Sequence, residues 1–135
     1  MAKKVVVLTL GAVVLLTACH GSPSGMAGAY DNAIYNEESG DLRGFRVWVR
    51  DDPNLAVSLK DCSDTCEIGE WFPARIVRDE LTFTQVEPWS RSDGTTGERQ
   101  VRFKAMKEGN ALVLTSPDIP GLRELLPPAK SELRR

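Results

Sequence analysis

The stretch FRVWVR, residues 45–50, decides the fold of this chain of 135 residues. Apolar residues stand at its odd positions, and two arginines and a tryptophan stand at its even positions. Successive side chains of a β-strand point to opposite faces of a sheet, so alternation with period two is typical of a strand with one buried face. The stretch therefore predicts a half-buried strand with Val47 and Val49 on the core side.

Six other stretches have the composition or the alternation of strands, and they are 30–35, 55–60, 71–77, 81–84, 101–106 and 111–114. Pro73, near the start of one of them, is typical of an edge strand or a strand start. Residues that favour chain reversal lie between these stretches, in the segments 39–41, 51–54, 78–80, 93–94 and 108–110.

Short strands joined by short turns are typical of a small antiparallel meander. About seven strands predict an all-β domain, either an up-and-down barrel or a strongly curved sheet, because closure hides the strand edges. The C-terminal part differs, since Leu122, Leu125 and Leu126 recur at helical spacing and Pro127 ends the run. These residues predict a short C-terminal helix that packs on the sheet.

The first 19 residues have the pattern of a secretory signal. Two lysines precede an apolar run at 5–16, which is too short to span a membrane because a spanning helix needs roughly 20 residues. The tetrapeptide LTAC, residues 16–19, then resembles the bacterial lipobox at all four positions. The resemblance implies cleavage before Cys19, lipid attachment to its thiol and a location in the bacterial cell envelope. His20 in place of aspartate implies the outer membrane, with the domain facing the periplasm.

These signals divide the chain into a signal peptide (1–18), the lipidated cysteine with a flexible tether (19–28), one β domain (29–128) and a flexible tail (129–135). Cleavage removes Lys3 and Lys4, which takes the 17 basic residues to 15 against 19 acidic ones, a formal net charge of −4. Such a domain lacks the basic footprint of nucleic-acid binding, so no nucleic-acid partner is expected.

Cys62 and Cys66 stand in the most conspicuous polar cluster, DCSDTCE at 61–67. If Cys19 carries lipid, an even pair of cysteines remains in an oxidising compartment, and a disulfide that closes a short loop is predicted. The alternative is a metal loop. It mixes soft thiolates with hard carboxylates and lacks a histidine or a second CxxC, so no metal and no cofactor are expected.

The sequence contains little that is typical of an enzyme. The single histidine, His20, adjoins the cysteine predicted to carry lipid, where it could not be held as a general base. The common hydrolase and nucleotide-binding motifs are missing. Acidic segments at 36–41 and 79–80 leave a carboxylate-dependent hydrolase open, although solvated turns explain them equally well. We expect a non-enzymatic protein.

Trp48, with Arg46 and Arg50, forms the candidate interface. These three residues stand opposite the core side of their strand, and tryptophan and arginine dominate protein-binding surfaces. The alternative is that the tryptophans of the chain complete a second packed face.

These features predict a membrane-anchored envelope lipoprotein that acts as a binding or inhibitory module for a protein partner. Small lipidated barrels with one disulfide are similar in architecture to the periplasmic inhibitors of lysozyme, although Ser39-Gly40-Asp41-Leu42 departs from the SGxxY-type loop of that family. A lipocalin-like carrier of a small apolar molecule is the alternative hypothesis.

Overall fold

The computed structural model of the chain describes residues 24–63 and 65–130, and these residues contain ten β-strands and no helix. The predicted signal peptide, Cys19, His20 and residues 131–135 of the predicted tail lie outside the described residues. The all-β prediction is confirmed. The strands are β1 (Gly28–Asp31), β2 (Ile34–Tyr35), β3 (Leu42–Arg43), β4 (Phe45–Arg50), β5 (Ala56–Asp61), β6 (Phe72–Val77), β7 (Glu80–Ser90), β8 (Thr96–Glu108), β9 (Ala111–Thr115) and β10 (Arg123–Leu126).

Eight of the strands form one antiparallel sheet in the order β1-β4-β5-β6-β7-β8-β9-β10. Beyond β10 the chain returns to β1, where the Asp31 N–H donates to the Pro127 carbonyl at 3.0 Å and the Ala129 N–H donates to the Ala29 carbonyl at 2.8 Å. The sheet is therefore nearly closed into a barrel. The other two strands, β2 and β3, form a separate small hairpin between β1 and β4.

The inner face of the sheet is filled by apolar side chains. The alternation in the sequence assigns seven residues to the core, and six of them are buried: Val47, Val49, Leu81, Phe83, Val101 and Phe103. The seventh, Phe45, is half-buried and packs against the core. Phe83 and Phe103 are register partners, and their stacked rings have centroids 5.3 Å apart. Met26 also belongs to this core, although the sequence interpretation placed it in the tether.

The predicted C-terminal helix is wrong, because residues Arg123–Leu126 form β10 and pair with β9. Leu122 and Leu126 are four residues apart, a spacing that fits a helix face and also one side of a strand. Leu126 is buried and Leu125 is exposed, as a strand requires. A single helical turn in this segment, which two prolines follow, would not be stable alone. As a strand, the segment instead forms backbone hydrogen bonds with the edge of β9.

The two ends of the barrel carry different segments. The end of the barrel at which the described chain starts is called the N-terminal rim. This rim carries residues 24–28, the β4–β5 loop (51–55), the β6–β7 turn (78–79) and the β8–β9 turn (109–110). The antiparallel register places the remaining connections at the opposite end, the distal rim; they are residues 32–44 with β2 and β3, the loop 62–71, the β7–β8 turn (91–95) and residues 116–122.

β7 and β8 extend past their neighbours at the distal rim. β6 pairs with β7 only as far as Phe83, and β9 pairs with β8 only from Lys104 onward. Residues 84–90 therefore pair with β8 alone and form a two-stranded arm with residues 96–102. At ~3.3 Å per residue the arm reaches about 20 Å beyond the last three-stranded pairing.

Candidate functional site

The predicted interface lies on the outer face of β4, where arginines stack on tryptophans. The Arg46 guanidinium lies 5.1 Å from the ring centroid of Trp48, and the Arg50 guanidinium lies 4.4 Å from that of Trp71. The Arg46 side chain is only 12% exposed. Its Nε lies 3.5 Å from the Asp31 carboxylate, so the two groups form an ion pair but not a hydrogen bond. The arginines and Trp48 are half-buried, so this surface is largely occupied by its own contacts.

The loop 62–71 covers the strand next to Trp48. Its Cys62 and Cys66 form the predicted disulfide, with Cα atoms 5.0 Å apart, and this prediction is confirmed. The Gly69 N–H donates to the Ser58 hydroxyl at 3.2 Å, and Ser58, the register partner of Trp48, is fully buried. The loop therefore packs on the outer face of β5 and limits the free area around Trp48.

The β2–β3 hairpin exposes the two most accessible large apolar side chains among the described residues. Ile34 is 73% exposed and Tyr35 is 61% exposed. Burying an exposed large apolar side chain contributes roughly 1.5–3 kcal/mol, so two adjacent ones on a projecting hairpin are a candidate anchor for a partner. The sequence pattern predicts one strand over residues 30–35 and does not indicate this exposed hairpin.

Asn32 holds the base of this hairpin. Its side-chain oxygen accepts a hydrogen bond from the Phe45 N–H at 2.8 Å, and its side-chain nitrogen donates to Glu124 at 2.7 Å. A Cβ atom on Gly44 would lie 2.7 Å from the Ala33 backbone, and the φ of Gly44 is +132°, so only glycine fits this close approach. The hairpin is therefore braced against β4 and β10.

The turn of the hairpin is closed by Asn36. Its side-chain oxygen accepts from the Glu38 and Ser39 N–H groups at 2.9 and 3.3 Å, and its carbonyl accepts from the Gly40 N–H at 2.8 Å. The acidic side chains of residues 37–41 are exposed, as in a solvated turn. Beside the turn lies an open depression of about 630 Å³, lined by Asn32, Ile34, Asn36, Ser39, Asp41, Arg43 and Gly44. The distal rim thus presents two exposed apolar side chains, surrounded by polar ones, that a partner could contact.

The arm has its own internal contacts. The Trp89 ring packs directly on Gly97, where a Cβ atom would lie 2.6 Å from it, and Arg91 lies 5.3 Å from the ring centroid. Glu87 accepts two hydrogen bonds from Arg99, at 2.7 and 3.0 Å. Trp89 is therefore half-buried against its neighbouring strand.

Residues 116–118 close the edge of β8 at the base of the arm. The Arg102 N–H donates to Asp118 at 2.8 Å, and the Ser116 hydroxyl donates to the Arg102 carbonyl at 2.6 Å. Hydrogen bonds from the Arg102 guanidinium, with help from its backbone N–H, lower the pKa of Asp118 to about 2. A hydrogen bond from Thr95 likewise lowers the pKa of Asp93. Both shifts hold the carboxylates ionised, the opposite of what a general acid needs.

No protein-family model, no curated protein and no solved structure matches this chain. Residues 24–63 and 65–130 include no helix long and apolar enough to cross a membrane, and no cluster of three potential metal-ligating side chains.

Proposed function

We propose that this chain is a membrane-anchored envelope lipoprotein whose β domain binds a protein partner without catalysing a reaction. The observation that carries the proposal is the braced β2–β3 hairpin, which holds Ile34 and Tyr35 exposed at the distal rim. A rigid hairpin loses little conformational entropy on binding, and tyrosine is enriched among the residues that contribute most to protein interfaces.

The position of the hairpin fits a lipid anchor beside the opposite end of the barrel. Met26 packs in the core at the N-terminal rim, whereas Ile34 and Tyr35 lie at the distal rim. A lipid on Cys19 would hold the N-terminal rim toward the bilayer and turn the hairpin toward the periplasm. The lipobox resemblance and His20 favour the outer membrane as the site of attachment.

Cys19→Ser tests the anchor. We expect this variant to remain an unprocessed or soluble exported chain without acyl label, because no other cysteine is available once Cys62 and Cys66 are paired. The measurement is metabolic labelling with a fatty acid, followed by separation of membrane and soluble fractions. Acylation and membrane retention equal to those of the wild type would contradict the anchor.

Tyr35→Ala tests the binding surface. In a pull-down from envelope extract, we expect this variant to lose a partner that the wild type retains, with a loss of affinity of about thirtyfold or more for a residue worth ≥ 2 kcal/mol. Val86→Ala is a matched control, since Val86 is exposed on the arm, away from the hairpin. Equal retention by both variants would place the interface elsewhere, with the Trp48 face as the next candidate.

A further inference from the structure

We propose that the outer face of β6–β10 beside the N-terminal rim contacts an anionic phospholipid surface. This inference adds a lipid-contacting face to the proposed function and takes from it only the position of the anchor. It rests on two transverse rows of side chains, one apolar and one basic, which the sheet register places side by side.

The apolar row lies nearer to the N-terminal rim. Register pairs connect Val77 to Glu80, Glu80 to Met106, Met106 to Val113 and Val113 to Leu125, so these five residues cross five strands in one line. Val77, Met106 and Leu125 are 50%, 47% and 49% exposed. Single exposed apolar residues are ordinary on protein surfaces, whereas four apolar residues on one line, interrupted only by Glu80, are a candidate contact surface.

The basic row lies two residues farther from the rim, about 7 Å along the strands. By the same register, Arg75, Lys104 and Arg123 alternate across the strands with two threonines, Thr82 and Thr115. Lys104 and Arg123 also contact Glu80 and Glu108, in pairs whose side chains remain partly exposed.

The charge on this face differs in sign from that of the whole chain. With Arg78 of the neighbouring turn the face carries four basic residues, which are Arg75, Arg78, Lys104 and Arg123. It carries three acidic residues, which are Asp79, Glu80 and Glu108. The chain as a whole has a formal net charge of −2. Four basic residues against three acidic ones give the face that bears the apolar row a formal net charge of +1.

This order of rows matches the chemistry of a membrane interface. Apolar side chains at the leading edge can enter the boundary between headgroups and acyl chains, while lysine and arginine one step behind stay at the level of the phosphates. Each such cation near an anionic leaflet contributes about a fivefold gain in binding. The basic row favours a phospholipid surface over a purely apolar protein partner.

The start of the described chain lies beside the same face. Ser24, Gly25 and Met26 share an open depression of about 340 Å³ with Ile76, Asp79, Met106 and Lys107. Ser24 follows Cys19 by five residue steps, a reach of at most about 17 Å. A lipid on Cys19 would therefore keep Met106 close to the bilayer, and the face would orient the domain as well as add affinity.

The test uses a chain that starts at His20 and carries no lipid. All of the core residues lie between Met26 and Leu126, so this chain retains the complete core. Flotation with vesicles of phosphatidylcholine plus phosphatidylglycerol is compared with flotation with phosphatidylcholine alone. We expect binding to the anionic vesicles, weakened about fivefold by Arg75→Ser and about tenfold or more by Met106→Glu with Leu125→Glu.

Ile68→Glu with Val86→Glu is the matched control, because it places the same two charges on exposed apolar residues at the distal end of the barrel and should leave vesicle binding unchanged. Thermal melts check that all variants are folded. No binding of the wild type to anionic vesicles, or equal binding of the double variant, would overturn the proposal. Cys19 acylation and Tyr35-dependent capture are measured separately, so failure here is distinguishable from failure of the proposed function.

Discussion

Phe103 and Trp48 are large aromatic residues in different surroundings within the same sheet. Phe103 is 3% exposed and stacks on Phe83 inside the barrel. Trp48 lies half-buried on the outer face, beneath the Arg46 guanidinium. The alternation that places Val47 and Val49 in the core therefore also predicts that Phe103 contributes more than Trp48 to the stability of the fold.

We expect Phe103→Ala to lower the free energy of unfolding by about 3–5 kcal/mol, since it removes a fully buried aromatic ring. Trp48→Ala should cost less, about 2 kcal/mol, because part of its area stays solvated in the folded protein and its cation–π contact with the mostly buried Arg46 contributes about 1–2 kcal/mol. Urea denaturation of the two variants measures both values. A larger loss for Trp48→Ala would show that this residue is the more important packing element.

Asp118 links stability to pH through its bond to Arg102. Its pKa is about 2 in the folded protein, below the ordinary value of 3.8, so its contribution to stability is fully present above about pH 4 and is lost as the pH falls through about 2. We expect Asp118→Asn to flatten this part of the pH–stability curve, measured by thermal melts. An unchanged slope between pH 4 and pH 2 would contradict this assignment.

The strands and turns of the barrel are readable from the sequence where one face is apolar. Residues 45–50, 55–60 and 101–106 alternate clearly; the first and the last of these stretches lie within β4 and β8, and all of the second except Leu55 lies in β5. Residues 84–90 and 96–100 form strands as well, but they pair as an arm with polar side chains on both faces, so no apolar period marks them. The leucines at 122–126 fit both periods, and pairing with β9 decided in favour of a strand.

The exposed hairpin could not be predicted from the same pattern. Ile34 and Tyr35 continue the apolar composition of β1, and only the turn-forming Asn32 and Asn36 on either side indicate a break. Their exposure depends on Gly44, which lets the chain pass close to Ala33. It also depends on the hydrogen bond that Asn32 donates to Glu124, a residue 92 positions further along the chain. Long-range contacts of this kind leave no local signal. The disulfide, in contrast, followed from the even pair of cysteines that remains once Cys19 is assigned to lipid.

Gly97 is expected to set the geometry of the arm. In Gly97→Val the added side chain would occupy the space of the Trp89 ring, so Trp89 must move and the arm should loosen. Hydrogen exchange should become faster for arm amides between residues 85 and 100 and stay unchanged in β4 and β5. Thr96→Val, at an exposed neighbouring position, is the control. Unchanged exchange in the Gly97 variant would mean that the Trp89 contact does not order the arm.

At the scale of the whole molecule, the two rims divide the proposed tasks. The N-terminal rim carries Met26, Met106 and the basic row, and the distal rim carries the braced hairpin and the disulfide loop. A domain held at one end presents the other end at a defined distance and orientation, which reduces the orientational cost of binding. We therefore expect Tyr35 to contact a protein partner when the chain is anchored.

The most direct test is photo-crosslinking in intact cells, with a photoreactive phenylalanine placed at position 35 of the full-length chain. The control carries the same residue at position 54, where Asn54 is exposed in a loop of the N-terminal rim. We predict a discrete protein adduct from position 35 and none from position 54. No adduct from position 35, or the same adduct from both positions, would contradict the account.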